Sequence, residues 1–303
     1  AGNELVATRV SMTAPAEVYA VDPTSGAIRQ LSFVTDNPWK NVVKSKVERR
    51  TVKTFDGKDM NVWVMLPPDF DPKKKYPAIV YCQGGPQSAL SQFFSYRWNL
   101  SLMAAQGYVV VAPCRRGMPG SGQAWNDAIL GKWGDAMKDY LSATDAIAKE
   151  PFVDATRIGA VGASFGGYAV YWLAGNHQKR FKTFISHCGL FNLESFYGTT
   201  EEVWFPQNDF EGAYWQTPVP KMYQTDSPHR YVQNWDTPIL VIHNELDFRV
   251  PFSEGMQAFQ AAQLKGIPSR LLTFPDEGHW VTKPQNSLLW QHEFFGWLEK
   301  YLK

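Results

Sequence analysis

The sequence predicts an α/β protein whose central sheet is mostly parallel and doubly wound. Two observations support this prediction: short continuous apolar runs recur along the chain, and amphipathic helical segments separate them. Continuous apolar runs are typical of strands that are buried on both faces. Repeated alternation of such strands with helices favours a parallel sheet that carries helices on both sides.

The N-terminal segment, residues 1–45, follows a different pattern. Apolar and polar residues alternate in L-V-A-T-R-V-S-M, in A-E-V-Y-A-V-D and in A-I-R-Q-L-S, and D-P-T-S-G supplies a turn. This pattern predicts a short antiparallel β-meander. Three strands cannot bury an apolar face alone. We therefore expect the meander to lean on the following domain or to be the remnant of a larger β-structure.

Residues 46–303 are predicted to form the α/β domain. Two strands, V-E-R-R-T-V-K-T-F and M-N-V-W-V-M-L-P-P, come first and are joined by the turn D-G-K-D. The buried strands that follow read P-A-I-V-Y-C, Y-V-V-V-A-P, R-I-G-A-V-G, T-F-I-S-H-C, P-I-L-V-I-H-N and R-L-L-T-F-P. Helices are expected at 98–106, 133–149, 166–177, 253–265 and 285–302. An antiparallel pair followed by parallel strands is the order of an α/β-hydrolase sheet.

Composition and charge exclude several classes of protein. A content of 44% hydrophobic and 19% charged residues is ordinary for a globular domain and argues against disorder. The formal net charge is +1, so nothing indicates a nucleic-acid partner or a membrane surface. No apolar run approaches the ~18 residues that a membrane span requires. The three cysteines, an odd count without C-x-x-C spacing, argue against a disulfide framework and a zinc site.

The run G-A-S-F-G, over 162–166, matches G-x-S-x-G and lies between a predicted strand and a predicted helix. Such a motif places its serine, here Ser164, on a strained turn that only glycine neighbours tolerate, with the hydroxyl exposed at the sheet edge. Gly167 adds a third glycine. The alternative is a tight hinge that needs small residues. The position between strand and helix favours a catalytic nucleophile.

A serine hydroxyl needs a base, and a histidine base needs an oriented partner. In this fold the order along the chain is serine, acid, histidine. His279 follows the last predicted strand in the loop P-D-E-G-H-W, whereas the other histidines lie upstream of a suitable acid, at strand ends or within helices. The preceding strand is followed by N-E-L-D-F-R-V-P, which offers Glu245 and Asp247. We prefer Asp247, since it lies farther into the loop.

The oxyanion of an acyl-transfer reaction needs hydrogen-bond donors beside the nucleophile. The backbone N–H of Phe165, the residue after the serine, is one candidate. A second donor is expected from the glycine-rich stretch Y-C-Q-G-G-P-Q, either the amide of Gly85 or the side chain of Gln83. The alternative is that G-G-P is a turn without a chemical role.

With these residues in place, the sequence resembles the prolyl oligopeptidase family, which includes dipeptidyl peptidases and acylaminoacyl peptidases. The resemblance covers residues 46–303. It rests on Q-G-G-P, R-R-G-M-P-G-S-G, G-K-W-G-D, G-A-S-F-G-G-Y, E-L-D-F-R-V-P and D-E-G-H, which occur in this order. Within the family, the sequence is most similar to the bacterial dipeptidyl-peptidase V enzymes.

The resemblance implies a serine peptidase that works through an acyl-enzyme on peptide substrates and needs neither a metal nor an organic cofactor. It further implies that residues 1–45 are the end of the last blade of a β-propeller, most of which the chain lacks. With the propeller present, release of dipeptides with alanine or a hydrophobic residue at the P1 position is expected. A periplasmic or secreted location is implied as well. The sequence begins at Ala1 without a methionine or a signal peptide, which suits a mature form or an excised fragment.

The same resemblance bears on two parts of the site. Some members use a tyrosine hydroxyl as the second oxyanion donor and others read H-G-G-P; here Gln83 opens Q-G-G-P, which favours the amides of Gly85 and Phe165. The family builds its S1 pocket in the segment N-L-E-S-F-Y-G-T-T-E-E-V-W-F, and this segment contains four candidate lining residues: Phe196, Tyr197, Val203 and Trp204. The alternative is a helical hairpin that packs on the core.

Three functions stay open at the level of sequence. Besides a peptidase, the same residues serve a carboxylesterase or an acylaminoacyl hydrolase, since the proposed groups act on esters as well as amides. A non-catalytic fragment that assists folding or assembly is the third. The sequence also leaves open whether the chain forms a homodimer.

Overall fold

The computed structural model describes residues 4–303. The strands are β1 (Leu5–Ser11), β2 (Ala14–Val21), β3 (Ile28–Gln30), β4 (Lys46–Lys53), β5 (Asp59–Leu66), β6 (Tyr76–Cys82), β7 (Val109–Pro113), β8 (Val153–Ala163), β9 (Thr183–His187), β10 (Ile239–Asn244) and β11 (Ser269–Phe274). The α-helices are α1 (Asp36–Trp39), α2 (Leu100–Ala105), α3 (Gln123–Asp127), α4 (Trp133–Ile147), α5 (Phe165–Asn176), α6 (Leu193–Thr199), α7 (Trp204–Asp209), α8 (Lys221–Thr225), α9 (Phe252–Leu264) and α10 (Pro284–Leu302). A 3-10 helix covers Pro228–Asn234.

The central sheet has eight strands in the order β11-β10-β9-β8-β6-β7-β5-β4. The pairs β4–β5 and β5–β7 are antiparallel, and all other neighbours in this sheet are parallel. The predicted α/β-hydrolase sheet is therefore confirmed. Because parallel strands end at a common edge, the loops that follow β6, β8, β10 and β11 lie near one another.

Helices cover both faces of this sheet, as a doubly wound fold requires. One apolar cluster joins α4, α5 and α9 to one face, and a second joins α2 and α10 to the other. All residues of α5 from Phe165 to Gly175 are buried, because this helix packs between the sheet and the 3-10 helix. The five helices expected from periodicity are observed, each within about two residues of its predicted bounds.

The strands β1 to β3 form a separate antiparallel sheet, which confirms the predicted meander. It contacts the α/β domain through the β1–β2 turn, where Met12 is 2% exposed. The Met12 N–H donates to Gln92 Oε1 at 3.0 Å, and the Met12 carbonyl accepts a hydrogen bond from Ser101 at 2.8 Å. At the far end of β1, Leu5 and Val6 are 60% and 69% exposed. The meander thus leans on the domain at one end and leaves apolar side chains uncovered at the other.

A buried ionic cluster ties the β4–β5 hairpin to the rest of the domain. Arg116, in the loop after β7, is 4% exposed. Its guanidinium donates to both oxygens of Asp139 on α4, each at 2.9 Å, and to Asp56 in the hairpin turn at 2.8 Å. The hydrogen bond from Arg116 is the largest of the effects that lower the pKa of the Asp56 carboxyl. The cluster joins three segments that are distant in sequence.

Replacing Asp139 by alanine is expected to destabilise the fold by about 3–5 kcal/mol, because Arg116 would lose its fully buried partner. The midpoint of guanidinium-induced unfolding measures this loss. Asp135→Ala on the same helix is the matched control, since Asp135 pairs only with the half-exposed Lys138. It should cost no more than about 1 kcal/mol. Equal losses in the two variants would contradict a structural role for the cluster.

Candidate active site

Ser164 lies on the sharp turn that joins β8 to α5. Its backbone has φ 60° and ψ −124°, a conformation that is strained for a residue with a side chain. The turn is held on both sides: the Ser164 N–H donates to the His187 carbonyl at 2.9 Å, and the Ser164 carbonyl accepts from Tyr168 at 2.9 Å. The surrounding structure therefore fixes the serine in a conformation that its own side chain disfavours.

Glycines beside Ser164 allow the helix to approach the strands closely. A Cβ atom at Gly166 would lie 2.0 Å from the Cys82 carbonyl oxygen at the end of β6. At Gly162 it would lie 2.5 Å from the Gly166 carbonyl oxygen, and at Gly167 it would lie 2.6 Å from Gly189. These neighbours are backbone atoms, which cannot move aside as a side chain can. The motif therefore reflects a steric requirement of the strand–turn–helix crossing.

Asp247 and His279 are brought together from the loops after β10 and β11. The His279 Nδ1 lies 2.8 Å from Asp247 Oδ2, and the Asp247 side chain is completely buried. The other carboxylate oxygen, Oδ1, accepts the N–H groups of Arg249 and Val250 at 3.1 and 2.9 Å. Asp247 is thus held by its own loop and leaves one oxygen for the imidazole. Glu245, the alternative acid, is exposed.

The loop that carries His279 is fixed by Glu277, which the sequence analysis did not single out. Glu277 is 2% exposed, and its carboxylate accepts the N–H groups of Thr282 and Lys283 at 3.0 and 2.9 Å. Asn244, at the end of β10, donates to the Gly278 carbonyl at 2.6 Å. These contacts set the position of the imidazole relative to the sheet edge.

Ser164 and His279 line the same cavity, which has a volume of about 520 Å³. No hydrogen bond joins the Ser164 hydroxyl to the imidazole within residues 4–303. In structures without substrate, hydrogen bonds between a nucleophile and its base are often long or poorly aligned. The three loops thus deliver a strained serine and a histidine–carboxylate pair to one cavity.

The candidate oxyanion donors differ in their availability. Gly85 has φ +65° and lines the cavity, as do Gln83 and Phe165. Within the described part of the chain, the N–H groups of Gly85 and Phe165 donate to no protein acceptor. The Gln83 side chain, in contrast, is engaged: its Nε2 donates to Ser88 Oγ at 3.4 Å, and its Oε1 accepts from the Tyr81 hydroxyl at 2.8 Å. The Gln83 N–H donates to the Tyr140 hydroxyl at 3.1 Å. This arrangement leaves the two backbone amides as the free donors beside Ser164.

Arg115 holds both sides of this donor pair, a role that the R-R-G motif alone did not reveal. It is completely buried and donates to the Gly85 and Pro86 carbonyls at 3.2 and 2.7 Å. Its guanidinium also lies 4.2 Å from the centre of the Phe165 ring, within the range of a cation–π contact. One side chain thereby orients the loop after β6 and the first residue of α5.

Aromatic side chains form one wall of the cavity. Of the four expected lining residues, Phe196 and Trp204 line the cavity, whereas Tyr197 and Val203 lie outside it. Tyr197 instead donates a hydrogen bond to Gln207 and packs on aromatic rings behind the wall, and Val203 is 49% exposed at the start of α7. The segment also forms two short helices, α6 and α7. It therefore contributes both to the cavity wall and to a helical pair, the two interpretations that the sequence allowed.

The rest of the aromatic wall comes from Trp133, Phe165 and Phe205, which the sequence analysis did not assign to the pocket. Trp133 packs on Phe165 at 4.7 Å and on Phe205 at 5.9 Å between ring centres. Trp133 belongs to the motif G-K-W-G-D, but it lies far in sequence from α6 and α7, so the motif did not indicate that it lines the cavity with them. The wall is apolar and lies beside Ser164.

The pKa of His279 is raised above its ordinary value. Burial lowers this pKa, but the neighbouring Cys188 sulfur and the Asp247 carboxylate outweigh burial. Cys188 Sγ lies 3.9 Å from His279 Nε2.

One group among the described residues has ligand atoms close enough together to hold a metal ion: Cys188, Asp247 and His279. This group includes the histidine–carboxylate pair. All three cysteines are free.

Gly166→Ala should destabilise the chain by about 1–3 kcal/mol and displace Ser164, because the new methyl group meets backbone atoms of β6. Gly296→Ala in α10 is the matched control: its Cβ would meet nothing within 4 Å, so alanine should be neutral or stabilise by up to about 1 kcal/mol. Thermal unfolding measures both changes. An unaltered midpoint for Gly166→Ala would refute the steric account of the turn.

Comparison with known proteins agrees with this architecture. The sequence model of the prolyl oligopeptidase family matches residues 94–303. Dipeptidyl-peptidase 5 of Porphyromonas gingivalis is 55% identical over 302 residues, which are 99% of this chain and 44% of that protein. Dipeptidyl-peptidase 5 of Aspergillus fumigatus is 39% identical over 292 residues, 94% of this chain and 40% of that protein.

Among solved structures, the acylaminoacyl peptidase of Pyrococcus horikoshii aligns with a TM-score of 0.90 and 26% sequence identity, over 100% of this chain and 49% of that one. The chain therefore spans less than half the length of each of these three relatives. In the described residues, no helix is long and apolar enough to cross a membrane. The identity to the two dipeptidyl peptidases and the family match lead to one conclusion: the chain belongs to the prolyl oligopeptidase family.

Proposed function

We propose that this chain is the catalytic part of a serine peptidase that hydrolyses short peptides through an acyl-enzyme. The observation that carries the proposal is the shared cavity: Ser164, on its strained turn, faces the same space as His279, whose Nδ1 is bonded to the buried Asp247. The family relationship supports the same reaction class.

In the proposed mechanism, the Ser164 hydroxyl attacks the scissile carbonyl while the imidazole of His279 accepts its proton. The carbonyl carbon becomes tetrahedral, and the N–H groups of Phe165 and Gly85 stabilise the negative oxygen. His279 then passes the proton to the leaving amine, so that the carbon–nitrogen bond breaks and an ester to Ser164 remains. Water, deprotonated by His279, attacks this ester, and the returning proton releases the serine. Throughout, Asp247 orients the imidazole and balances its positive charge.

The aromatic wall is the proposed pocket for the residue before the scissile bond. Phe196, Phe205 and Trp133 offer an apolar surface without an unpaired charge, which suits alanine or a larger hydrophobic side chain. We therefore expect the proposed peptidase to prefer a hydrophobic residue directly before the scissile bond.

We further propose that residues 1–45 are the last part of a propeller blade. In the antiparallel sheet of β1 to β3, more than half of the surface of Leu5, Val6 and Ile28 is exposed, and the remaining strands of such a blade would cover these side chains. Dipeptidyl-peptidase 5, the name of two relatives more than twice as long as this chain, supports dipeptide release by the complete protein. We therefore assign dipeptide length selection to the missing propeller and bond cleavage to residues 46–303.

The nucleophile assignment predicts that Ser164→Ala abolishes covalent labelling by a fluorophosphonate probe, because the probe reacts with the hydroxyl that His279 activates. Labelling is measured by intact-protein mass spectrometry. Ser142→Ala is the matched control, since the Ser142 hydroxyl bonds only the Lys138 carbonyl on α4 and should not influence labelling. Labelling that persists in Ser164→Ala would exclude this serine as the nucleophile.

Parallel assays on a dipeptidyl amide and a short acyl ester separate the peptidase from the esterase. A peptidase hydrolyses both substrates, because one set of groups attacks either carbonyl. Hydrolysis of the ester alone, by the chain and by a longer form that includes a propeller, would favour a carboxylesterase. Absence of both activities together with absence of labelling would favour a non-catalytic role.

The pH dependence follows from the raised pKa of His279. A protonated imidazole cannot accept the serine proton, so activity should fall as the pH decreases, with a midpoint above the ordinary value of 6.5. Asp247→Asn removes a carboxylate that raises this pKa; the residual rate should be lower and its midpoint should move to lower pH. Glu245→Gln, an exposed carboxylate on the same loop, should leave the midpoint unchanged. Hydrolysis of an aryl ester between pH 5 and 10 measures the three curves. A midpoint for Asp247→Asn that coincides with that of the unmodified chain would contradict the assignment.

A further inference from the structure

The cavity has a second wall, which combines aromatic rings with a cation. Arg97, Trp98 and Trp280 line it together with His279. Arg97 belongs to the loop before α2, and its backbone carbonyl accepts a hydrogen bond from Gln291 on α10 at 3.1 Å. The loop that presents Arg97 is therefore anchored to the domain and not free to swing into solvent.

The Arg97 guanidinium has no anionic partner in the described part of the chain. Its one hydrogen bond runs from Nη1 to the His279 carbonyl at 3.4 Å, and no carboxylate oxygen within residues 4–303 lies within 4.0 Å of it. Burial lowers the pKa of Arg97, but a guanidinium remains charged at neutral pH. Asp247 and Glu277 attract this charge from a longer distance, but most of the guanidinium N–H groups have no acceptor among the described residues. Such a group is costly to bury, since burial removes water without supplying a replacement.

The other arginines of the site already have close partners. Arg249, which also lines the cavity, pairs with Glu202 at 3.0 Å and packs over the Trp280 ring. Arg115 is engaged by two carbonyls and by the Phe165 ring. Arg97 therefore differs from its neighbours in its contacts: its guanidinium makes a single long hydrogen bond within residues 4–303, and the carboxylates of Asp247 and Glu277 act on its charge only from beyond ion-pair distance.

The position of Arg97 indicates which part of a substrate it meets. His279 delivers its proton to the leaving amine, so the segment after the scissile bond must lie on the His279 side of the cavity. Arg97 donates to the backbone carbonyl of His279 and therefore lies on this side. The aromatic wall beside Ser164 is the proposed site of the residue before the bond. The guanidinium of Arg97, whose N–H groups are mostly free within the described chain, thus faces the leaving segment.

We infer that Arg97 binds the free α-carboxylate of a short peptide substrate, on the leaving side of the scissile bond. This inference rests on the peptidase function proposed above and adds a substrate class to it: peptides that end one or two residues after the cleaved bond. A guanidinium presents two parallel N–H groups to a carboxylate, which gives a strong and directional contact. Peptides with a blocked or distant C-terminus would leave Arg97 unpaired.

The test compares a tripeptide, Gly-Ala-Gly, with its C-terminal amide, and the released dipeptide is quantified by chromatography. The unmodified chain should cleave the free acid with a kcat/KM on the order of tenfold higher than that of the amide, which is the range expected for a hydrogen bond to a charged group. Arg97→Gln should abolish this difference by raising KM for the acid alone. Arg97→Lys keeps the charge but loses the pair of parallel N–H groups, so it should retain part of the preference for the acid.

Two controls distinguish recognition from a structural role of Arg97. Hydrolysis of an aryl ester of acetyl-alanine, whose leaving group has no carboxylate, should be equal in the unmodified chain and in Arg97→Gln. Arg270→Gln removes an exposed arginine on β11 that pairs with Glu293, and it should keep the full preference for the acid. If Arg97→Gln lowers the rates on acid, amide and ester alike, Arg97 merely positions the His279 loop and the inference is wrong.

The outcomes also separate this inference from the proposed function. Equal cleavage of acid and amide by the unmodified chain would overturn the carboxylate site and leave the peptidase intact. Turnover of the ester without cleavage of either peptide, both by the chain and by a longer form that includes a propeller, would overturn the peptidase, and the carboxylate site with it.

Discussion

The contact between α5 and the end of β6 is the constraint on which the rest of the site depends. Gly166 approaches the Cys82 carbonyl so closely that a Cβ atom would lie 2.0 Å from it. This approach forces the turn between β8 and α5 to be tight, and the tight turn places Ser164 at a positive φ. Backbone packing in the core thereby positions the serine at the sheet edge, and the strain at Ser164 is sustained by the buried helix that follows.

Buried polar side chains fix the loops that the strands themselves do not hold. Arg115 connects the loop after β6 to Phe165, and Glu277 accepts backbone N–H groups that hold the loop of His279. Arg116 and Asp139 anchor the hairpin at the other edge of the sheet. Each of these groups is nearly inaccessible to water, so each loses more from an absent partner than an exposed charge would. The loops of the site are consequently rigid where the proposed chemistry needs fixed distances.

The two sides of the cavity differ in charge, since Arg97 lies on the side of His279 and the rings around Trp133 are apolar. We propose the apolar side for the acyl part of a substrate and the side with His279 and Arg97 for the leaving part. Such a division gives direction to a bound peptide: an apolar residue on one side and a carboxylate on the other place the scissile bond over Ser164. The proposed cleavage of short, free-ended peptides thus rests on two surfaces of one domain, and the proposed selection of dipeptides is assigned to a part of the protein beyond it.

Much of this organisation was predictable from the sequence by itself. The alternation of apolar runs with helices determined the α/β class, and G-A-S-F-G together with the chain order of serine, acid and histidine indicated Ser164, Asp247 and His279. These signals are local, because strand burial and a glycine-lined turn leave a pattern within a few residues. The contributions of Trp133, Phe205, Arg115 and Arg97 were decided only by the tertiary structure. Their roles depend on which distant segment each side chain meets, and a contact between segments far apart leaves no periodicity in either one.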